Sequence, residues 1–535
     1  MSIRYVILVF LGILLFSNCA KKGSPSGGPK DTIPPIILKS DPENFSIHFS
    51  ENEIRIYFDE FIKLKDLQQN LIVSPPLTYQ PIITPTSSAK MLKIRILDTL
   101  APNTTYVFNF GKSIVDNNEE NEFDYFTYVF STGNYIDSLK LKGTVEDILQ
   151  PLPELKTTVM LYEVTEDYND SIIYAQKPKY ITTTRDKDSH FELTNLKAGT
   201  YSLIALQEST SNYTFDPKKD KIAFLKAFVK LPTDSTFDLK LFQELPDYKM
   251  MRANHESKNK ITFGFEGNID SLKIRPLFEL PEGYESRIYR DPKKDSLNYW
   301  FKPAFDPETT DTLTFAAEKR HQLDILLVKV RDLYVDSLKI STLGSSTLIP
   351  RDSIKFQANT PLVAIRPEMF SIINQDSVSI LPKVFLDTLR TEVALFFEKK
   401  DEQAYRVLVL PEAIRDFFEQ TNDTLQYTFR TKPLSDYGTL NLVLNNLREF
   451  PVMVELVDEK LTVVASEYLT QNKTVYFDYL NPGKYWVRIV YDANGNRKWD
   501  TGNYLKKTQP ETIVYLPKQI EMRPNWSMNE EFNLE

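Results

Sequence analysis

The sequence predicts an all-β protein made of tandem β-sandwich modules, and three observations carry that expectation. The 535 residues include 28 Tyr and 34 Phe, side chains that favour pleated, half-buried surfaces. Period-two alternation recurs between Pro-, Asn- and Asp-bearing turns, as in Ile54-Arg55-Ile56-Tyr57-Phe58 and Arg406-Val407-Leu408-Val409-Leu410. One strand-turn-strand pattern occurs twice, with Leu196, Gly199, Tyr201, Asn212 and Asp216 returning as Leu480, Gly483, Tyr485, Asn496 and Asp500 at a constant offset of 284 residues. A shared register over so many positions marks an internal repeat of one module type.

The chain begins with Arg4 and an uncharged apolar run from Tyr5 to Phe16, shorter than the roughly 20 residues a spanning helix needs. Cys19, the only cysteine, follows at once. This junction resembles a bacterial lipoprotein lipobox, with Asn18 departing from the usual Gly or Ala. The resemblance implies a signal peptide over 1–18, cleavage before Cys19 and diacylation of its thiol; the plainer alternative is an ordinary secretory signal. Residues 19–32, rich in Gly, Ser, Pro and Lys, read as a flexible tether. Ala20 favours the outer membrane, whereas Lys21 and Lys22 leave open which face holds the anchor. With its one thiol acylated the chain has no disulfide, so stability must come from apolar cores.

The first module is expected over 33–133. It opens with Pro34-Pro35 and Ser40-Asp41-Pro42, holds the strand Ile54 to Phe58 and the hairpin Leu100-Ala101-Pro102-Asn103-Thr104-Thr105-Tyr106, and closes with Tyr128-Val129-Phe130-Ser131-Thr132-Gly133. In order and spacing these segments resemble the bacterial Ig-like domains of S-layer and other envelope proteins. The second module, 134–245, contains Phe191 to Leu203, which is similar to the transthyretin-like, carboxypeptidase-regulatory type of sandwich. A further β-sandwich is expected over 246–345. The fourth module, 346–433, closes with Tyr427-Thr428-Phe429-Arg430-Thr431, an echo of the first, and reads as a second Ig-like unit. Within it, Pro411 to Gln420 predicts a short helix from its leading Pro and early acidic residues. The second transthyretin-like copy fills 434–535.

Little in the chain points to catalysis. The four His are scattered, no nucleophile-elbow or phosphate-loop motif occurs, and acidic pairs such as Asp59-Glu60 and Asp401-Glu402 fit solvated surfaces. A formal net charge of −9, with Lys and Arg dispersed, points away from nucleic acid. The sharpest constellation is Asp492, Asn494, Asn496 and Asp500, whose oxygens are spaced to converge on Ca²⁺, a cation that takes about six to eight such ligands. The spacing resembles the start of an EF-hand loop but lacks its sixth-position Gly and twelfth-position Glu. The alternative is an Asn494-Gly495 hairpin turn whose polar groups face water. Tyr299-Trp300-Phe301, Tyr485-Trp486 and Trp499 are candidates for stacking on sugars.

The whole chain resembles the Ig-like-domain outer-membrane lipoproteins of Bacteroidota. The resemblance implies a non-enzymatic scaffold, rod-like or bent, that is lipid-anchored in the outer membrane. It would offer sheet edges and loops to envelope proteins, in outer-membrane protein assembly or secretion. A surface glycan-binding lipoprotein with an aromatic platform is the alternative.

Overall fold

The computed structural model describes residues 30–153, 156–185, 188–210 and 212–534. Cys19 and the apolar leader lie outside the described residues. Strands run in a series of two-layer sandwiches from Ile37 to Asn533.

In the first sandwich, one sheet orders the strands Ile37–Asp41, Glu53–Leu64, Ala89–Arg95 and Ile82–Thr84; the other orders Ile72–Ser74, Thr105–Asn109 and Thr127–Ser131. Lettered along the chain, these are sheets A-B-E-D and C-F-G, the connectivity of the constant-type immunoglobulin sandwich. Alternation dictates the layers. Ile54, Ile56 and Phe58 turn into the core while Arg55 faces out, and Ile54 and Ile56 sit opposite Ile94 and Leu92. A register shift after Tyr57 lets the same strand continue to pair with Ile114–Asp116. The Tyr106 hydroxyl accepts the Ala101 N–H at 2.9 Å, the tyrosine corner of such folds.

The third sandwich follows the same plan, with Lys249–Ser257, Lys260–Glu266, Ser296–Lys302 and Glu285–Arg290 facing Lys273–Pro276, Thr312–Lys319 and Gln322–Lys329. The fourth repeats it again. Ile340–Leu343, Ile354–Ala358, Glu392–Phe396 and Lys383–Leu386 face a sheet of Thr347–Leu348, Leu425–Thr431, Ala404–Val409, Phe370–Asn374 and Ser379–Ile380. Its Tyr405 hydroxyl accepts the Lys400 N–H at 2.7 Å, as Tyr106 does for Ala101.

The helix expected over Pro411 to Gln420 is absent. Ile414–Asp416 is instead a strand paired with Leu362–Ile365, and Glu412 and Glu419 hold φ values of 63° and 65°. The Asp416 carboxylate accepts the N–H groups of Phe418 and Gln420, closing a turn where a helix would have needed those donors. Ile114–Asp116 does the same in the first sandwich, where Asp116 accepts N–H groups from Asn118, Glu119, Glu120 and Asn121.

The second and fifth sandwiches share most of one strand plan, although in the second Lys221–Phe224 also pairs with Thr236–Gln243 and joins its two layers into one eight-stranded sheet. Leu139–Asp147 pairs antiparallel with His190–Leu196 and parallel with Thr236–Gln243; Gly438–Asn445 pairs in the same way with Val475–Leu480 and Ser527–Asn533. Opposite them, Thr158–Glu163 lies between Tyr180–Thr183 and Gly199–Gln207, matching Val452–Val457 between Val463–Leu469 and Gly483–Tyr491. The cores repeat residue for residue: Leu193, Tyr201, Leu203 and Ala205 in one, Phe477, Tyr485, Val487 and Ile489 in the other. Burying each large member stabilises its sandwich by about 1.5–3 kcal/mol. Pair volumes trade off, with Gly143 opposite Phe191 in the earlier copy and Leu442 opposite Val475 in the later.

The array is not an open rod. Ser74 Oγ of the first sandwich accepts the Ile181 N–H of the second at 3.1 Å, and Lys218 pairs with Glu266 of the third at 2.8 Å. Trp300 of the third meets Phe418 of the fourth, and Arg351 of the fourth donates to the Asp478 carbonyl of the fifth at 2.6 Å. The fifth sandwich then returns to the second. Sandwiches two to five therefore form a closed circuit of contacts, with the first attached outside it.

Candidate functional site

The Asp492–Asp500 loop follows the strand Gly483–Tyr491, whose alternation delivers Asp492 into a fully buried position. Its two carboxylate oxygens accept the N–H groups of Asn496 at 3.0 Å and Arg497 at 2.8 Å. Asn494 and Asn496 do converge on Asp500, as their spacing predicts. They present amide nitrogens, at 2.5 and 2.7 Å from Asp500 Oδ2, rather than the oxygens a cation needs. Among the described residues no cluster of three or more His, Cys, Asp or Glu side chains is set to hold a metal. The loop is a turn held by its own hydrogen bonds in this structure.

The earlier copy builds the same turn from different residues. Glu208 accepts the Tyr213 N–H at 2.7 Å where Asp492 accepts that of Arg497, and Tyr213 and Arg497 share φ values of 62° and 63°. Asn212 accepts the Thr214 N–H as Asn496 accepts that of Lys498. A second carboxylate then locks each turn. Asp220 accepts the N–H groups of Ser209 and Asp216; Glu511 accepts those of Ala493 and Asp500. Burial raises the Glu511 pKa above its ordinary value, against the lowering effect of those two N–H bonds.

The constant offset fails after Asp500. The lock lies 4 residues beyond Asp216 but 11 beyond Asp500, and the additional residues form a clasp on the second sandwich. Thr501 Oγ1 donates to the Gln243 carbonyl at 2.5 Å, Gln509 Nε2 to that of Phe224 at 2.8 Å, and Tyr515 Oη to that of Leu149 at 2.8 Å. Lys507 pairs with Asp170 at 2.6 Å. Tyr504 is fully buried in the outer core of the second sandwich, edge-on to Phe224 at 5.2 Å, with its backbone N–H donated to Glu244. Desolvation raises the Glu244 pKa, and the Tyr504 N–H acts the other way. A Cβ on Gly502 would sit 2.6 Å from the Thr508 carbonyl and 2.7 Å from the Phe242 ring, so this approach demands glycine. Strand alternation and turn chemistry alone do not mark this segment as a contact. The break in the repeat register, with Gly502 and Tyr504 inside the insertion, was the available signal.

The aromatic candidates do not form an exposed platform. Tyr299, Trp300 and Phe301 are 2%, 4% and 1% exposed, and Tyr485 lies in the core of the fifth sandwich. Trp486 is half-buried, and half-buried Trp499 donates its indole N–H to the Glu511 carbonyl at 2.9 Å. His255 is buried and accepts the Arg331 N–H, while His190 pairs with Asp188 at the surface. Glu402 sits in a turn at φ 51°. Among the described residues no helix is long and apolar enough to cross a membrane.

Residues 31–132 match the bacterial Ig-like domain family, the stretch that forms the first sandwich. No curated protein matches the sequence. Solved structures similar to this chain include domains 1–6 of the surface layer protein SbsC, at 12% identity and a TM-score of 0.14, covering 87% of this chain and 66% of that one. The chain thus spans just under two thirds of that protein. The major pilin subunit BcpA of Bacillus cereus aligns at 9% identity and a TM-score of 0.14, covering 74% and 99% of the two chains. The four N-terminal Ig domains of Dscam1 align at 9% identity and a TM-score of 0.16, covering 94% and 100%. These scores are far below those of a shared overall architecture.

Proposed function

We propose that this chain is a modular, non-enzymatic scaffold, anchored in the outer membrane by lipid on Cys19, that organises protein partners in an envelope complex. The observation that carries the reading is the use of its polar side chains. Asp116, Asp416, Asp492, Asp220 and Glu511 close turns, while Glu244 and Asp170 join one sandwich to another. The result is a preorganised frame of largely antiparallel sheets whose outer faces and edges are available for protein contacts. The apolar leader ending at Cys19 supports a lipid anchor, and outer-membrane protein assembly or secretion is the setting favoured by resemblance.

The test uses the full chain in its native host, beside a Cys19→Ala variant. Metabolic labelling with an alkyne fatty acid should mark the wild type and not the variant, and the wild type alone should sediment with outer membranes. Protease shaving of intact cells assigns the face. Mild-detergent extraction followed by native electrophoresis should show a discrete complex of fixed stoichiometry. An unlabelled wild type would overturn the anchor, and a protein migrating alone at native expression would overturn the scaffold.

A further inference from the structure

The boundary between the third and fourth sandwiches holds an open cleft of about 310 Å³, at the lower end of the roughly 300–1,000 Å³ range of ligand sites. Its walls are cationic although the chain as a whole carries a net charge of −9. Lys260, Arg290 and Lys293 come from the third sandwich, and Lys339 from the start of the fourth. Arg290 has a carboxylate partner, Asp295 at 3.3 Å. Among the described residues, the ammonium groups of Lys260, Lys293 and Lys339 have none within ion-pair distance.

Asp291, the one acidic residue lining the cleft, is held by hydrogen bonds and also feels the Lys260 charge, which helps keep its carboxylate ionised. Its Oδ1 accepts the N–H groups of Lys293 at 2.9 Å and Lys294 at 3.1 Å, and its Oδ2 accepts the Asn298 amide at 3.3 Å. Lys260 is held in place over the buried Trp300 ring at 5.0 Å. Four cationic side chains and one carboxylate line the cleft, so its net charge favours an anion. Half-buried Gln357 and Tyr289, whose side chains have no hydrogen-bond partner among the described residues, add neutral donors and acceptors to the walls. A second hollow of about 320 Å³ lies across the 291–295 turn, shares Arg290, Asp291 and Lys293, and adds Lys294 and Asp295. Polar, charged surface thus continues beyond the cleft.

We propose that this inter-sandwich cleft binds an acidic oligosaccharide, with a sugar carboxylate among Lys260, Lys293 and Lys339 and ring hydroxyls on Gln357 and Tyr289. A site for a bare inorganic anion would need only the ammonium groups. The amide and phenol groups beside them, and the hollow that prolongs the surface, fit a hydroxyl-bearing chain. The site is independent of the scaffold reading, and the buried Trp300 ring lies beneath Lys260 at its floor.

The full chain is titrated with trigalacturonate by calorimetry and by tryptophan fluorescence, with maltotriose and inorganic phosphate as comparison ligands. Trigalacturonate should bind, and its affinity should fall as salt is raised. Lys260→Gln, Lys293→Gln and Lys339→Gln should each weaken binding about tenfold, the effect of losing one charge-assisted hydrogen bond, with unchanged melting curves. Lys218→Gln, at the paired Lys218–Glu266 contact, should bind like the wild type. Equal binding of maltotriose would overturn the charge recognition. Phosphate binding as tightly as trigalacturonate would overturn the saccharide, and no trigalacturonate binding at millimolar concentration would overturn the site.

Discussion

Tyr504→Ala should open the contact circuit without unfolding either sandwich it joins. The ring is fully buried, packs edge-on against Phe224, and belongs to the outer core of the second sandwich rather than to the inter-sheet core of the fifth. Truncating a buried aromatic to Ala costs about 3–5 kcal/mol. Of that, the edge-on ring pair accounts for about 0.5–1.5 kcal/mol. At about 1.4 kcal/mol per factor of ten, the closed-to-open ratio falls by roughly two to nearly four decades. The hydroxyl contacts to Asp170 at 3.3 Å and Tyr168 at 3.5 Å are a smaller share, so Tyr504→Phe should cost about 1 kcal/mol. Small-angle scattering reads the outcome as a larger radius of gyration for Tyr504→Ala, and near-wild-type scattering for Tyr504→Phe. Calorimetry should show the melting of the individual sandwiches retained. Unchanged scattering for Tyr504→Ala, or loss of the fifth sandwich's own transition, would refute the assignment of Tyr504 to docking.

Other expectations follow from the same contacts. Glu244 has a folded pKa raised above its ordinary value, so its contribution to the clasp is strongest below that ordinary value and declines as pH rises through the folded one. Scattering across pH should show progressive opening, and Glu244→Gln, which keeps an acceptor for the Tyr504 N–H, should flatten the profile. Burial opposes ionisation of Asp116, yet its backbone N–H bonds outweigh that and lower its pKa, so its stabilisation is lost as pH falls through the folded value. Asp116→Ala should lower the stability of the first sandwich by about 1–3 kcal/mol in urea melts. Gly143→Ala would place a methyl 1.9 Å from the Phe237 carbonyl and should cost about 1–3 kcal/mol in the same assay. Asp492→Ala should destabilise the fifth sandwich through two orphaned N–H groups, whereas added Ca²⁺ should leave the wild-type melting temperature unchanged.

What was legible in the sequence was local. Alternation in Glu53–Leu64 reports its own two faces, and the paired glycines at 199 and 483 report a repeated turn. Strand order in the third sandwich is set by contacts between distant segments, such as Lys260–Glu266 with Ser296–Lys302, and no local pattern encodes that neighbour. The Pro411 segment misled because acidic residues favour both a helix's first turn and a side-chain-closed turn. Backbone pairing of Ile414–Asp416 with Leu362–Ile365 decided between them. The Asp492 loop was half legible: the convergence of its side chains follows from spacing, but which atom of each amide faces Asp500 does not.

The clasp also sets how tension would travel. A pull between the start of the first sandwich and the fifth enters through the first and reaches the second. There it can cross directly through Thr501, Tyr504 and Gln509 instead of running along the chain through the third and fourth. The clasp is a mechanical shunt in parallel with the arm of the third and fourth sandwiches, so while it holds that arm carries only part of the load. A pull between the two ends would load the short route first and reach the Trp300–Phe418 boundary more strongly once Tyr504 leaves its socket.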